Sequence, residues 1–209
     1  MPNIFYNFNK YFLVVITIIV LNKNKQLQKE LQRKEQARRE YLEKLKPLLY
    51  AFVAWFGILA ILHIPFIKDY LREIMVGFTH SAAIFTGKLL FLPISDRGAP
   101  ILDYDGFGMR VILECTAYNF YLFVAMITIF SHWSLRDKII NLSLFIGVIF
   151  ILNNMRFFVM GIIGKTHPHM FESIHDYFWN IMFGLMIFLI YVWADRRAGG
   201  VFAPIKNTS

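Results

Sequence analysis

The chain is organised around apolar runs that approach the length of a bilayer crossing, divided by short polar segments. A transmembrane helix needs about 20 predominantly apolar residues. The runs at 11–21, 48–66, 116–131, 139–164 and 177–193 approach or reach that size. A lipid interior offers backbone N–H and C=O groups no water, so such runs must be helical. Composition agrees: 57% of the 209 residues are hydrophobic and 17% charged, where a soluble domain carries about a quarter. The expectation is an all-α integral membrane protein, a multi-spanning helical bundle of about five or six crossings.

The first run, 11–21, lacks a small-residue cleavage site and a marked basic segment before it. It reads as a retained helix rather than a signal peptide. Residues 22–46, "NKNKQLQKELQRKEQARREYLEKLK", are rich in Gln, Glu, Lys and Leu and predict a polar helix. The formal net charge is +8. Its placement beside apolar runs points to membrane orientation, with no nucleic-acid partner expected. If 22–46, 132–138 and the tail from Asp195 are cytoplasmic, they hold 14 of the 22 Lys/Arg. The positive-inside rule favours that orientation.

Two stretches break the pattern. Residues 67–92 mix Lys68, Asp69, Arg72, Glu73, His80 and Lys88 with apolar side chains. They fit an interfacial helix or a tilted span equally well. Residues 93–114 are punctuated by Pro, Gly and Asp, with short β-type runs flanking "DYDGFG". They predict a small extracytoplasmic hairpin or ordered loop leading into Cys115, the only cysteine of the chain. A single cysteine excludes an internal disulfide.

Three unlike polar groups then share one membrane depth. Cys115 stands at the outer end of the run 116–131. The run from Ile139 starts inside, and Arg156 lies 17 residues on, roughly 25 Å of helical rise. His175 precedes the last run at its outer end. A thiolate is a strong nucleophile, and a nearby imidazole or cation lowers its pKa. Histidine exchanges protons near neutrality, and arginine offers a fork of donors to an oxyanion. The set suits acyl transfer.

Each residue also has a plain structural reading. A lone cysteine in an apolar chain serves as a small buried hydrophobe, and an arginine can snorkel to headgroups. Yet an arginine inside an apolar run marks a functional site by default. Asn153 and Asn154 suit hydrogen bonds between helices. Glu114 either orients His175 or Arg156, or faces water. His167, His169 and His175 lack the spacing and the thiolate or carboxylate partners of a zinc site, so no metal and no organic cofactor are expected. On the structural readings together, the chain is a non-catalytic membrane scaffold or assembly partner.

The ordered motifs are a Cys at the start of a span, "NNMR" (153–156) in the next, and "IHDYFWN" before the last. Together they resemble the exosortase/archaeosortase family of multi-spanning membrane cysteine transpeptidases. The resemblance covers about residues 48–195. It implies Cys115 as nucleophile and Arg156 and His175 as its catalytic partners, with Asn153 and Glu114 in support. It also implies substrates that are exported proteins with a C-terminal tripartite signal of short motif, transmembrane helix and basic cluster. The family often shows Cys-Ser-Gly where this chain has Cys115-Thr116-Ala117. The resulting organisation is an N-terminal span plus basic helix (1–47), a catalytic membrane domain (48–195) and a cytoplasmic tail (196–209). The expected location is the cell membrane, multi-pass, with the site extracytoplasmic and membrane lipid as surroundings. The nucleophile that accepts the acyl group is open on this reading.

Overall fold

A computed structural model describes residues 3–198; the side chains of 1–22, 24 and 44 lie outside the described set. The chain divides into two compact units, Met1–Lys46 and Pro47–Ser209. Most of the tail expected over 196–209 falls on residues that are not described, as do the side chains of the expected first span at 11–21. The chain is predominantly helical. Three helical segments, Lys25–Leu62, Leu135–Thr166 and Pro168–Arg197, are long and apolar enough to cross a membrane.

The first unit is helical from Asn3, in the helix α1 (Asn3–Leu62). Its described side chains over 25–43 are all exposed. Glu, Lys, Gln, Arg and Leu are strong helix formers, so this segment needs no apolar face to hold its conformation.

In the second unit α1 ends at Leu62, and α2 (Pro65–Leu89) follows with proline at its first turn and Ile64 extended before it. That is the position at which proline's missing N–H costs nothing. The expected span 48–66 therefore ends earlier, and the stretch 67–92 is mostly one helix. Strands β1 (Ile94–Asp96), β2 (Ile101–Tyr104) and β3 (Phe107–Arg110) form an antiparallel sheet in the order β1-β2-β3. Tyr104 pairs with Phe107 across the two-residue turn Asp105-Gly106, both at positive φ (48° and 90°). An Asp-Gly pair is suited to that turn, whose twist matches the strands.

A 3₁₀ turn, Leu113–Thr116, leads through Ala117 into α3 (Tyr118–Phe130). The expected span 116–131 is thus a helix of only 13 residues, about 20 Å long. After a short loop comes α4 (Leu135–Thr166), whose N-cap Ser134 accepts a hydrogen bond from the Asp137 N–H at 3.2 Å. This satisfies an otherwise orphaned donor. A 3₁₀ turn (Pro168–Met170), the single turn α5 (Phe171–Ser173) and a π-turn (Ile174–Phe178) precede α6 (Trp179–Arg197).

Val124 and Ile127 of α3, Phe145 and Ile149 of α4, and Phe183 and Ile187 of α6 are buried together in one core. Buried Trp133 donates its indole N–H to Asp195 at 3.3 Å, tying the α3–α4 loop to the end of α6. The sheet packs on the C-terminal part of α4. There Gly161 and Gly164 leave room for the rings of Tyr104 and Phe107, and a Cβ at either glycine would overlap them. Lys165 pairs with Asp105 of the hairpin turn.

Candidate active site

Cys115 sits in the 3₁₀ turn, where its N–H donates to the Ile112 carbonyl at 2.9 Å and the Thr116 hydroxyl to that of Leu113 at 2.7 Å. Ala117 closes the turn in the left-handed conformation, φ 56°. Glycine adopts that conformation without strain, whereas a Cβ makes it costly. Ala117 thus stands at a demanding backbone position.

The Cys115 Sγ lies 3.1 Å from Nε2 of His175. Arg156, 3% exposed on α4, brings Nη2 to 2.8 Å from the same Nε2. It also approaches the His175 carbonyl, at 3.4 Å. The other ring nitrogen, Nδ1, lies 2.8 Å from the Asp176 carboxylate. This network assigns the tautomer. A carboxylate accepts only, so Nδ1 carries the proton. Guanidinium donates only, so Nε2 presents its lone pair. The imidazole is neutral, and both the Arg156 N–H and the thiol hydrogen point at one lone pair.

His175 and Asp176 both lie in the π-turn Ile174–Phe178, a feature often found at functional sites. Asn180 donates to the Asp176 carbonyl at 2.6 Å and holds the turn. Phe171 stacks on the His175 ring with centroids 5.9 Å apart and planes 10° from parallel. Phe107 of the hairpin packs on Phe171 at 5.7 Å. An aromatic series thus runs from the sheet to the imidazole.

Burial pushes the Cys115 thiol above its ordinary value, and the Glu114 and Asp176 carboxylates push the same way. A backbone hydrogen bond with Ile112 and the charge of Arg156 pull it down without overcoming burial. The lowered thiol pKa expected from adjacent partners is corrected: desolvation of the thiolate outweighs the charge of Arg156.

Cys115, Arg156 and His175 meet directly. The supporting residues do not join them. Asn153 is buried three residues before Arg156, its Oδ1 without a protein partner, and it makes no hydrogen bond to the three. Asn154 donates to the Phe150 carbonyl of its own helix at 2.8 Å. Glu114 is exposed and bonds to neither His175 nor Arg156. It lines a cleft of about 270 Å³ with Arg156, His175, Asp176 and Asn180, and acts on the thiol through its charge. Asp176 was missed by the sequence reading, and its only signal was adjacency to His175. No protein-family model, curated protein or solved structure matches the chain.

Proposed function

We propose that the chain is a membrane-embedded cysteine peptidase or transpeptidase of the exosortase type. The observation that carries this reading is the 3.1 Å approach of the Cys115 thiol to an imidazole nitrogen that Arg156 also touches. Its setting is the cell membrane, crossed about five or six times, with a catalytic domain over 48–195. The site faces the extracytoplasmic interface, and 22–46 and the tail face the cytoplasm. The substrate is an exported protein bearing a short motif, a transmembrane helix and a basic cluster at its C-terminus. That helix docks laterally on the bundle and brings the scissile peptide to the cleft between Glu114 and Asp176.

As the Cys115 Sγ attacks the scissile carbonyl carbon, its proton passes to His175 Nε2. That nitrogen can then no longer accept from Arg156. The guanidinium is released as the carbonyl oxygen becomes an oxyanion, the species it is suited to bind. The imidazolium is stabilised at Nδ1 by Asp176. Collapse of the tetrahedral species breaks the C–N bond, and Nε2 gives its proton to the leaving amine. The thioester on Cys115 is resolved by water or another nucleophile. Nε2 takes that nucleophile's proton as it attacks, and returns it to the departing thiolate.

The test co-expresses the chain with an exported reporter carrying such a signal and follows uncleaved reporter by immunoblot. Cys115→Ala should accumulate it fully while remaining in the membrane. Arg156→Lys keeps the charge and loses the planar fork, so processing should slow by about 10²–10³. A scaffold would tolerate Cys115→Ala, and full processing by a stably expressed variant would end the proposal.

A further inference from the structure

The helix α2 carries two stripes on opposite faces. Val76, Thr79, His80, Ala83 and Gly87 are buried. Phe66, Tyr70, Ile74, Phe78, Phe85 and Leu89 are exposed, Phe66 by 85%. At 100° per residue, the second set falls on the side of the helix away from the first. The exposed stripe extends roughly 35 Å, long enough in itself to cross a hydrocarbon core about 30 Å thick. Length therefore decides nothing, and what rests on the buried face does.

That face lies along the β-sheet. Val76 lines a cleft with Pro100 and Val111. His80 Nε2 is 3.2 Å from the Ile101 carbonyl and 3.3 Å from Asp96. Gly87 packs on Ile94. A small open sheet carrying Asp96, Arg97, Asp103, Asp105 and Arg110 cannot enter hydrocarbon, because its outer strands would present unpaired backbone groups to lipid. The same sheet sits on α4 beyond Arg156, at Gly161 and Gly164. A crossing by α2 would drag the sheet into the bilayer with it.

We infer that α2 does not cross. It lies flat in the membrane interface, on the side that carries Cys115 and His175, with its apolar stripe seated among lipid acyl chains. The occupant of the stripe is thus a lipid surface. Charge agrees. Lys68 and Lys88 stand near its two ends, where headgroup phosphates would meet them and their stems can snorkel, while Arg72 pairs with Asp69 at 3.1 Å on the same polar flank. The stripe also extends a surface of the same kind, since α4 exposes Ile151 and Met155. The inference rests on the membrane reading of the long helices and is independent of any chemistry at Cys115.

The experiment uses the full chain, carrying Cys115→Ala, in nanodiscs of phosphatidylcholine and phosphatidylglycerol. Single cysteines replace Phe66, Ile74, Phe78, Phe85 or Leu89 and receive a nitroxide. Relative collision with oxygen and with a water-soluble nickel chelate gives the depth of each label. All five should be oxygen-accessible at one shallow depth, about 5–10 Å below the phosphates. A depth that rises to a maximum near Phe78 and falls again would mean a crossing and overturn the inference. So would labels open to nickel throughout, which would mean water. Labels shielded from both reagents would mean a protein partner and overturn it equally. Agreement between Phe66 and Leu89 alone separates the cases, because a crossing helix would put those two near opposite leaflets.

Discussion

Arg156 and Cys115 converge on a single atom: Nη2 of the arginine at 2.8 Å and Sγ of the cysteine at 3.1 Å from His175 Nε2. One lone pair cannot hold a proton and accept from guanidinium together. On the proposed mechanism, proton transfer from the thiol and release of the arginine would be a single event, freeing the cation when negative charge appears on the substrate.

The raised thiol sets the pH response of Cys115. Reactivity follows the thiolate fraction, so alkylation by a small maleimide should be slow at pH 7 and still climbing above the range of a free cysteine. Glu114 raises the thiol through its charge. Glu114→Gln should shift the alkylation profile to lower pH. A profile unmoved by that change would show that the Glu114 charge is not felt at the sulfur.

Asp176 fixes the imidazole tautomer but is 64% exposed on its side chain, so water screens part of its effect. Asp176→Asn should lower turnover by less than His175→Ala, which removes a general base worth about 10²–10⁴. Asp176→Glu should recover part of the loss. Equal loss in Asp176→Asn and Asp176→Glu, with normal folding, would assign Asp176 to the turn and not to the proton path.

The sheet should govern the site at a distance through Phe107, Phe171 and His175. Gly164→Ala puts a methyl into the Phe107 ring. Overpacking of this kind costs about 1–3 kcal/mol. The hairpin should lift, the Phe171 stack should loosen, and processing should fall although no catalytic group is changed. Gly147→Ala, on the same helix with open space at its Cβ, should leave processing intact. Similar activity in both variants would remove the hairpin from the control of His175.

Ala117 holds a left-handed φ of 56° with 1% exposure. Ala117→Gly relieves the conformation, worth about 1 kcal/mol, and loses one buried methyl, worth a similar amount. Its thermal midpoint should stay within a few degrees of wild type. Ala117→Val adds a branched Cβ where φ is positive and should lower the midpoint clearly. If valine is tolerated as well as glycine, the turn does not hold this geometry in the membrane.

Depth counting along the apolar runs was enough to bring Cys115, Arg156 and His175 to one level, because rise per residue is fixed and loops of a few residues leave little freedom. Asp176 escaped it. Its contact with His175 is a matter of side-chain placement within the π-turn, and nothing in "IHDYFWN" announces that turn. The stretch 67–92 was legible as an interfacial helix or a tilted span, but the choice between them depends on what packs against its buried face, and that contact is not written in the sequence. The 13-residue α3 was overestimated because Thr116 and Ala117 are apolar enough to extend the run, while the backbone at Ala117 interrupts it.

Cys115 and His175 are separated by 60 residues of chain. Ribosomes add about 5–20 residues per second, so roughly 3–12 s of synthesis separate the two. Throughout that interval Cys115 lacks the His175 imidazole, and for most of it Arg156 is absent as well. On the proposed function, a nascent chain would thus carry an unarmed thiol past the insertion machinery and become reactive only after its last helix has begun to emerge.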